Sequence, residues 1–316
     1  MSSLDLKDFS ITSVSGTIAE PAATAEAVAV SPLGPLANLV GTWKGTGFNQ
    51  IWRPFRGGPP AQDRFLELNE TTEELQFVEI PGDIPNRGLL QADINLHGIT
   101  YLQKINDANV KSGGKPAGIH IEPGIWVSVP RTTNPLDPPT VARLANIPHG
   151  TSLVAQGTAT TTPGAPVFAP VSIVPFLVNQ PGNLVHFPEE TLSTPTTFRT
   201  PHADIPHVTQ AMVTNPNSVL AAGIAGRHIV STTTLRISTK PLNPPSSGGG
   251  TSNIAFLEGA GGRPNAVAAE MDAIFWIEEI VDTHGRHSFQ LQYTQTVLLN
   301  FNGLSWPHVS VATLHK

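Results

Sequence analysis

The chain of 316 residues contains no cysteine. That excludes disulfides, thiolate metal sites and cysteine nucleophiles, and it agrees with a reducing, cytoplasmic setting. Charge is sparse too. Charged residues make up 13% of the chain, and 18 basic against 24 acidic residues give a formal net charge of -6. Such a balance lacks the basic footprint of a nucleic-acid-binding protein. No apolar run approaches the ~20 residues that cross a bilayer, so membrane insertion is not expected. No basic segment followed by an apolar block opens the chain, so no secretory leader is expected. The G-x-S-x-G, Walker, G-x-G-x-x-G and H-E-x-x-H motifs are all missing, which leaves no evident hydrolase or nucleotide enzyme.

What the chain has in quantity is Pro (30) and Gly (28). With few charges, that suits many short strands joined by long loops and disfavours a helical bundle. The length fits one enlarged all-β domain. Residues 1–31, rich in Ala, Ser, Thr and Glu, read as an N-terminal arm, and 32–316 as a single barrel domain with an insertion at 162–227.

The organising stretch is Gly41-Thr42-Trp43-Lys44-Gly45-Thr46-Gly47. Glycines let two pieces of backbone approach closely. A Trp between them can plug the closed end of a barrel, its indole N–H finding a partner. The preceding Ser31–Val40 reads as a helical turn whose Leu36, Leu39 and Val40 close that end. Ten strand signals follow, at 42–53, 64–80, 94–105, 119–129, 140–147, 151–161, 228–239, 271–282, 288–301 and 306–315, each bounded by Gly, Pro, Asn or Asp. Asp282–Arg286 and Phe301-Asn302-Gly303-Leu304 are hairpin turns. A meander of this length hides its edges most easily by closing. The expected fold is therefore all-β: an antiparallel, calycin-like barrel of about ten strands, with a long Pro-rich insertion and a capping helix.

Alternation assigns the faces. Phe289, Leu291, Tyr293, Gln295, Val297, Leu299 and Phe301 share the expected interior side of the ninth strand. The eighth strand is apolar on both faces through Ile274, Phe275, Trp276 and Ile277. Its outer side therefore needs a cover, and the insertion, with Val171, Ile173 and Phe176, is the expected one rather than a second subunit. A monomer is the favoured state. Asn215–Gly226 reads as a helix capped by Asn215, begun by Pro216 and ended by Gly226, with Val219, Leu220 and Ile224 on its apolar side. That helix is expected across a barrel mouth. Residues 243–266 read as a loop.

Three histidines stand out. His308 opens the last strand and shares a face with Ser310 and Ala312, which leave room for a flat ligand. A neutral imidazole is the usual protein ligand of haem iron. His308 also reads as a surface residue near a strand start. His120 and Glu122 lie on one face of the fourth strand, beside Trp126. They make either a satisfied polar pair at a barrel end, a metal or ligand site, or an acid–base pair. His149 sits in a Pro-His-Gly hairpin and is either solvated or turned into the mouth.

These residues resemble the nitrobindins, fatty-acid-binding-protein-like β-barrels that bind haem. Pro35-Leu36 and Gly41–Gly47 fit the family's G-x-W-x-G-x-G. His120-Ile121-Glu122-Pro123-Gly124-Ile125-Trp126 is similar to its polar-Glu-x-Gly-aromatic strand, and Ala142–Thr151 to the hairpin that follows. Trp306-Pro307-His308 through Leu314 matches the closing strand, where the family places its axial haem histidine. The chain departs from the family at Phe48–Pro54, where a Tyr-Pro-Thr-Ile-like segment is usual, and at 162–227, which has no counterpart. The resemblance implies haem b held by His308 as the metal ligand. Trp43, Gly41, Gly45, Gly47 and His149 would belong to the cofactor site. It also implies isomerisation or scavenging of reactive nitrogen or oxygen species. Two other readings stand beside it: an iron-free carrier of a small hydrophobic or planar molecule, and an enzyme using His120 and Glu122 on an organic substrate.

Overall fold

Long alternating strands separated by tight turns leave the chain little choice but a meander, and the meander closes. The computed structural model describes residues 31–56, 63–147, 150–258 and 265–316. In chain order the elements are β1 (Gly41–Pro54), β2 (Arg64–Glu79), β3 (Ile84–Asn86), β4 (Ile94–Ser112), β5 (Lys115–Val129), β6 (Thr140–Ile147) and β7 (Thr151–Pro163). There follow β8 (Phe176–Leu177), β9 (Gln180–Leu184), α1 (Gln210–Thr214), α2 (Asn217–Ile224), β10 (Ile229–Ser238), β11 (Gly250–Asn253) and α3 (Ala255–Glu258). The last three strands are β12 (Val267–Val281), β13 (His287–Phe301) and β14 (Leu304–His315).

The barrel runs β1-β2-β4-β5-β6-β7-β10-β12-β13-β14, and β14 pairs back onto β1 from Lys44↔His315 to Gln50↔Val309. These are the ten expected strands, all antiparallel to their neighbours. The β13–β14 turn has φ of +49° at Asn302 and +78° at Gly303, the left-handed pair that matches strand twist in a two-residue hairpin. In the β12–β13 turn, Asp282 Oδ1 accepts the N–H groups of His284 and Arg286. Among the described residues four further strands, β3, β8, β9 and β11, sit beside the barrel. None exceeds five residues, too short for a period-two pattern to register in the sequence.

One end of the barrel is shut. A 3-10 turn at Gly34–Leu39 drives Leu36 and Leu39 into the interior, and Trp43 Nε1 donates to Leu39 O at 2.6 Å. Leu75, Phe77, Ile99, Trp126 and Phe275 pack around that plug.

A second core lies outside the barrel. Phe48, Trp52, Leu66, Leu68, Val309 and Val311 point outward, yet all are wholly buried. Ile173, Ile205, Val208, Val213 and Leu220 of the 164–227 segment cover them. The same segment covers the outer face of β12, where Phe168 meets Trp276 edge-on at 4.9 Å. The second apolar face of that strand is thus covered from within the chain.

The helix expected over Asn215–Gly226 is α2, and a further short helix, α1, precedes it and stops at Asn215. Asn215 Oδ1 accepts from Asn217 N and from Val171 N, capping α2 while tying down the preceding chain. Gly226, at φ +74°, ends it. Its placement differs from expectation. Instead of crossing a mouth, α2 lies along the outer wall on β13 and β14, with Leu220 O accepting from Gln292 Nε2. Gln292 and Thr294, outward residues of β13, give it polar as well as apolar seats.

Candidate functional site

Inward parity on the ten strands places a set of polar residues in the middle of the barrel, above the Trp43 plug. Glu73 follows Leu75 and Phe77 on the inner face of β2 and is buried. Its carboxyl accepts from Tyr293 Oη at 2.6 Å, Thr71 Oγ1 at 2.9 Å and Gln103 Nε2 at 3.4 Å. Burial pushes its pKa up, and these hydrogen bonds pull the other way. Gly47 makes room for this group: a Cβ there would stand 2.7 Å from Glu73 Oε1 and 2.4 Å from Val311 O.

Beside it lies an ionic cluster. Arg143, on the inner face of β6, pairs through Nη2 with Glu122 Oε1, donates from Nε to Tyr101 Oη at 2.8 Å, and donates from Nη1 to Gln295 Oε1 at 2.7 Å. Tyr101 donates to the same Glu122 oxygen. His120 Nε2 stands 3.3 Å from Glu122 Oε2. Burial alone would raise the Glu122 pKa, but Arg143, followed by His120 and Tyr101, brings it down to about 2. Burial likewise favours the neutral Arg143, and Glu122 overrides it, so the guanidinium is held charged. Tyr101 and Tyr293, the only tyrosines in the chain, both have their pKa raised, first by burial.

Above this layer the barrel opens into a cavity of about 460 Å³. Its walls are apolar, with Ile51, Ile105, Ile119, Ile147, Leu153 and Val297 among them. Its floor is polar, formed by Asn49, Gln103, Tyr293, Gln295 and Ser310. Arg53 and Glu67 stand at the rim, paired at 2.8 Å, with the Arg53 guanidinium 4.5 Å from the centre of the Phe65 ring. Thr251 and Leu257, from β11 and α3, approach the same mouth. The segment at the mouth is therefore the β10–β12 connection, whereas 164–227 contributes none of the described lining residues.

The structure brings His308 and His120 to this one cavity. His308 faces it from β14, one register step from Ser310, opposite Val297 of β13. Glu122 sits behind His120, wholly buried and outside the lining. Trp43, Gly41, Gly45 and Gly47 also lie outside it, toward the shut end. His149 falls outside the described residues. No group of three or more His, Asp or Glu side chains among the described residues is arranged to hold a metal ion.

Sequence reasoning passed over Arg143, Glu73 and Gln103. A signal for them existed in part. It is clear for Arg143, a charged residue at inward parity between Val141 and Ala145, whereas Glu73 is one of several polar residues at inward parity on β2, with Glu67, Asn69 and Thr71, so parity does not single it out.

Fold and cavity together define a closed, ten-stranded antiparallel β-barrel with one plugged end and one open, ligand-sized cavity, an architecture consistent with calycin-like barrels. Comparison with protein-family models, with curated proteins and with solved structures finds no match in any of the three.

Proposed function

We propose that the protein binds one small, largely apolar organic molecule in the open cavity of its barrel. The observation that carries this reading is the cavity itself: about 460 Å³, aliphatic on its walls, polar at its floor and open at one end. Ligand sites commonly enclose ~300–1,000 Å³ with this division of apolar walls and a few polar groups. The rest of the barrel is packed to make that space. Trp43 shuts the base, and the second core keeps 164–227 on the outside. Native mass spectrometry of freshly purified protein tests it. A bound organic mass is expected, and Val297→Trp, which fills the cavity, should release it while the barrel stays folded. Retention of the same mass by that variant would place the ligand elsewhere.

A second reading has one specific observation in its favour. His308 lines the same cavity beside the small Ser310, so an imidazole stands where a haem b in the cavity could take its one protein ligand. Haem, when bound, would supply iron chemistry toward oxygen or nitrogen oxides. Trp43 and the three glycines would take no part, since they do not line this space. Hemin titration should then give a Soret band that His308→Ala shifts or abolishes. An identical spectrum in the variant removes His308 as ligand.

An acid–base enzyme reading of His120 and Glu122 has less support. A carboxylate held at about 2 has no proton to give near neutrality, and its role here is to orient His120 and to neutralise Arg143.

A further inference from the structure

The cavity floor carries a donor–acceptor pattern that discriminates among head groups. The pattern comes from which end of each carboxamide the protein already uses. Gln103 Nε2 is spent on Tyr293 Oη at 3.0 Å and on Glu73 Oε2, which leaves its Oε1 as the end for the cavity. Gln295 is held the other way. Its Oε1 accepts from Arg143, which leaves its Nε2 hydrogens as donors. Asn49 is only 3% exposed, lines the same floor, and has a buried Oδ1 with no hydrogen-bond donor among the described residues. Register places it between Asn69 of β2 and Ser310 of β14. A buried acceptor left unmade costs free energy, and a half-turn of this carboxamide would bring its oxygen to the cavity, where a ligand N–H or O–H would recover that cost.

Charge at the floor favours no ionic head group: Arg53 stands at the rim and is paired with Glu67, His120 is paired with Glu122, and His308 lies on the wall opposite Val297. Arg143, the one guanidinium or ammonium of this layer among the described residues, is neutralised by Glu122, and the layer's other carboxyl, Glu73, adds no positive charge in either protonation state. A carboxylate brought to this floor would lose its hydration and find the Arg143 charge already spent. An ammonium would meet a floor whose acidic groups are already hydrogen-bonded inside the protein. We propose, on the footing that the cavity is a ligand site, that it selects a molecule with an uncharged head group bearing both a hydrogen-bond donor and an acceptor, a primary amide or a hydroxyl. That head group sits on the carboxamides of Asn49, Gln103 and Gln295, with the apolar body against the aliphatic wall.

Displacement of bound Nile red by octanamide, 1-octanol, octanoate and octylamine at pH 7 tests this on the full chain. The two neutral ligands should displace the dye at concentrations at least ~10-fold below those of the two ions, because a site built for hydrogen bonds penalises partners that leave them unmade. In Asn49→Leu the advantage of octanamide over octanoate should shrink several-fold, while Nile red still binds. Octanoate or octylamine matching the neutral pair would overturn the head-group assignment and leave the cavity reading intact. So would failure of all four to displace a dye that does bind. Failure of Nile red to bind wild-type protein, with Val297→Trp no different, would instead take down the cavity reading itself.

Discussion

At the scale of single residues, the barrel's interior is governed by two buried carboxyls of opposite tendency, and a third lies outside it. Glu122 is held at about 2 against an ordinary 4.5. A depressed carboxyl stabilises the fold above its unfolded value, and that stability is lost as pH falls from about 4.5 toward 2. Removing its partner should be worse than losing the pair. Arg143→Met leaves a buried charge uncompensated and is expected to cost ~3–5 kcal/mol, whereas Arg143→Met with Glu122→Gln should recover much of it. Urea unfolding at pH 7 reads both. Glu278, on the outer face of β12 beneath the insertion, behaves in the opposite sense. Burial pushes it up to about 8, with Gln290 and Arg227 pulling the other way, and its Oε1 has no hydrogen-bond partner among the described residues. Its folded form therefore stays protonated where the unfolded chain is ionised. Its contribution is full below about 4.5 and is lost as pH rises through that value to about 8. Glu278→Gln should stabilise the protein at pH 9 by on the order of 1–3 kcal/mol and change nothing at pH 4. Equal effects at both pH values would show that Glu278 does not titrate in this window. Gly47→Ala is the steric counterpart. Its new Cβ would meet strand backbone at 2.4 Å, so the β1–β14 seam must part, and a loss of several degrees in Tm is expected.

At the scale of elements, the informative case is α2. Its ends were readable from Asn215, Pro216 and Gly226, and its apolar side from Leu220. Where that side docks was not readable, because an amphipathic helix fits any apolar surface of the right width. The outer face of β14 is apolar at Val309 and Val311, and β13 beside it offers Gln292 and Thr294 as polar partners, and that decided the matter. Leu220 is wholly buried there, so Leu220→Ala should cost ~2–5 kcal/mol. Since no described lining residue of the cavity belongs to this segment, the rate of ligand exchange should stay at its wild-type value, as stopped-flow release of Nile red would show. A faster release at unchanged stability would instead make α2 a gate.

At the scale of the whole molecule, the protein is a barrel with cores on both sides of one wall. Pro163 at the end of β7 and Ser231 of β10 are paired neighbours, so a short turn could replace most of the segment between them. Such a deletion would expose Phe48, Trp52, Leu66, Trp276 and Val311 together. We expect it to aggregate even though no barrel strand is touched, and size-exclusion chromatography with light scattering reads the outcome. A monodisperse, soluble deletion variant would show that the outer core serves only the insertion.

The sequence alone determined the ten strands, their order, the two hairpin turns and the shut end. Each of those depends on residues close in the chain: alternation with period two, Gly, Asn and Asp at left-handed or tight positions, and a Trp next to the turn that caps it. It also grouped His308 with Ser310 and His120 with Glu122 on shared strand faces, because parity follows from alternation, but it left open whether those faces look inward. Tertiary structure decided what those residues face. Glu122 reads as His120's working partner in the sequence, yet it is committed to Arg143, which lies 21 residues away and meets it only across the β5–β6 pair. Glu73 and Tyr293 are 220 residues apart and share a hydrogen bond only because the barrel closes. The cavity is the space left over when all ten inner faces are summed around a ring. No local pattern encodes that sum, and it exists only once β14 has paired with β1.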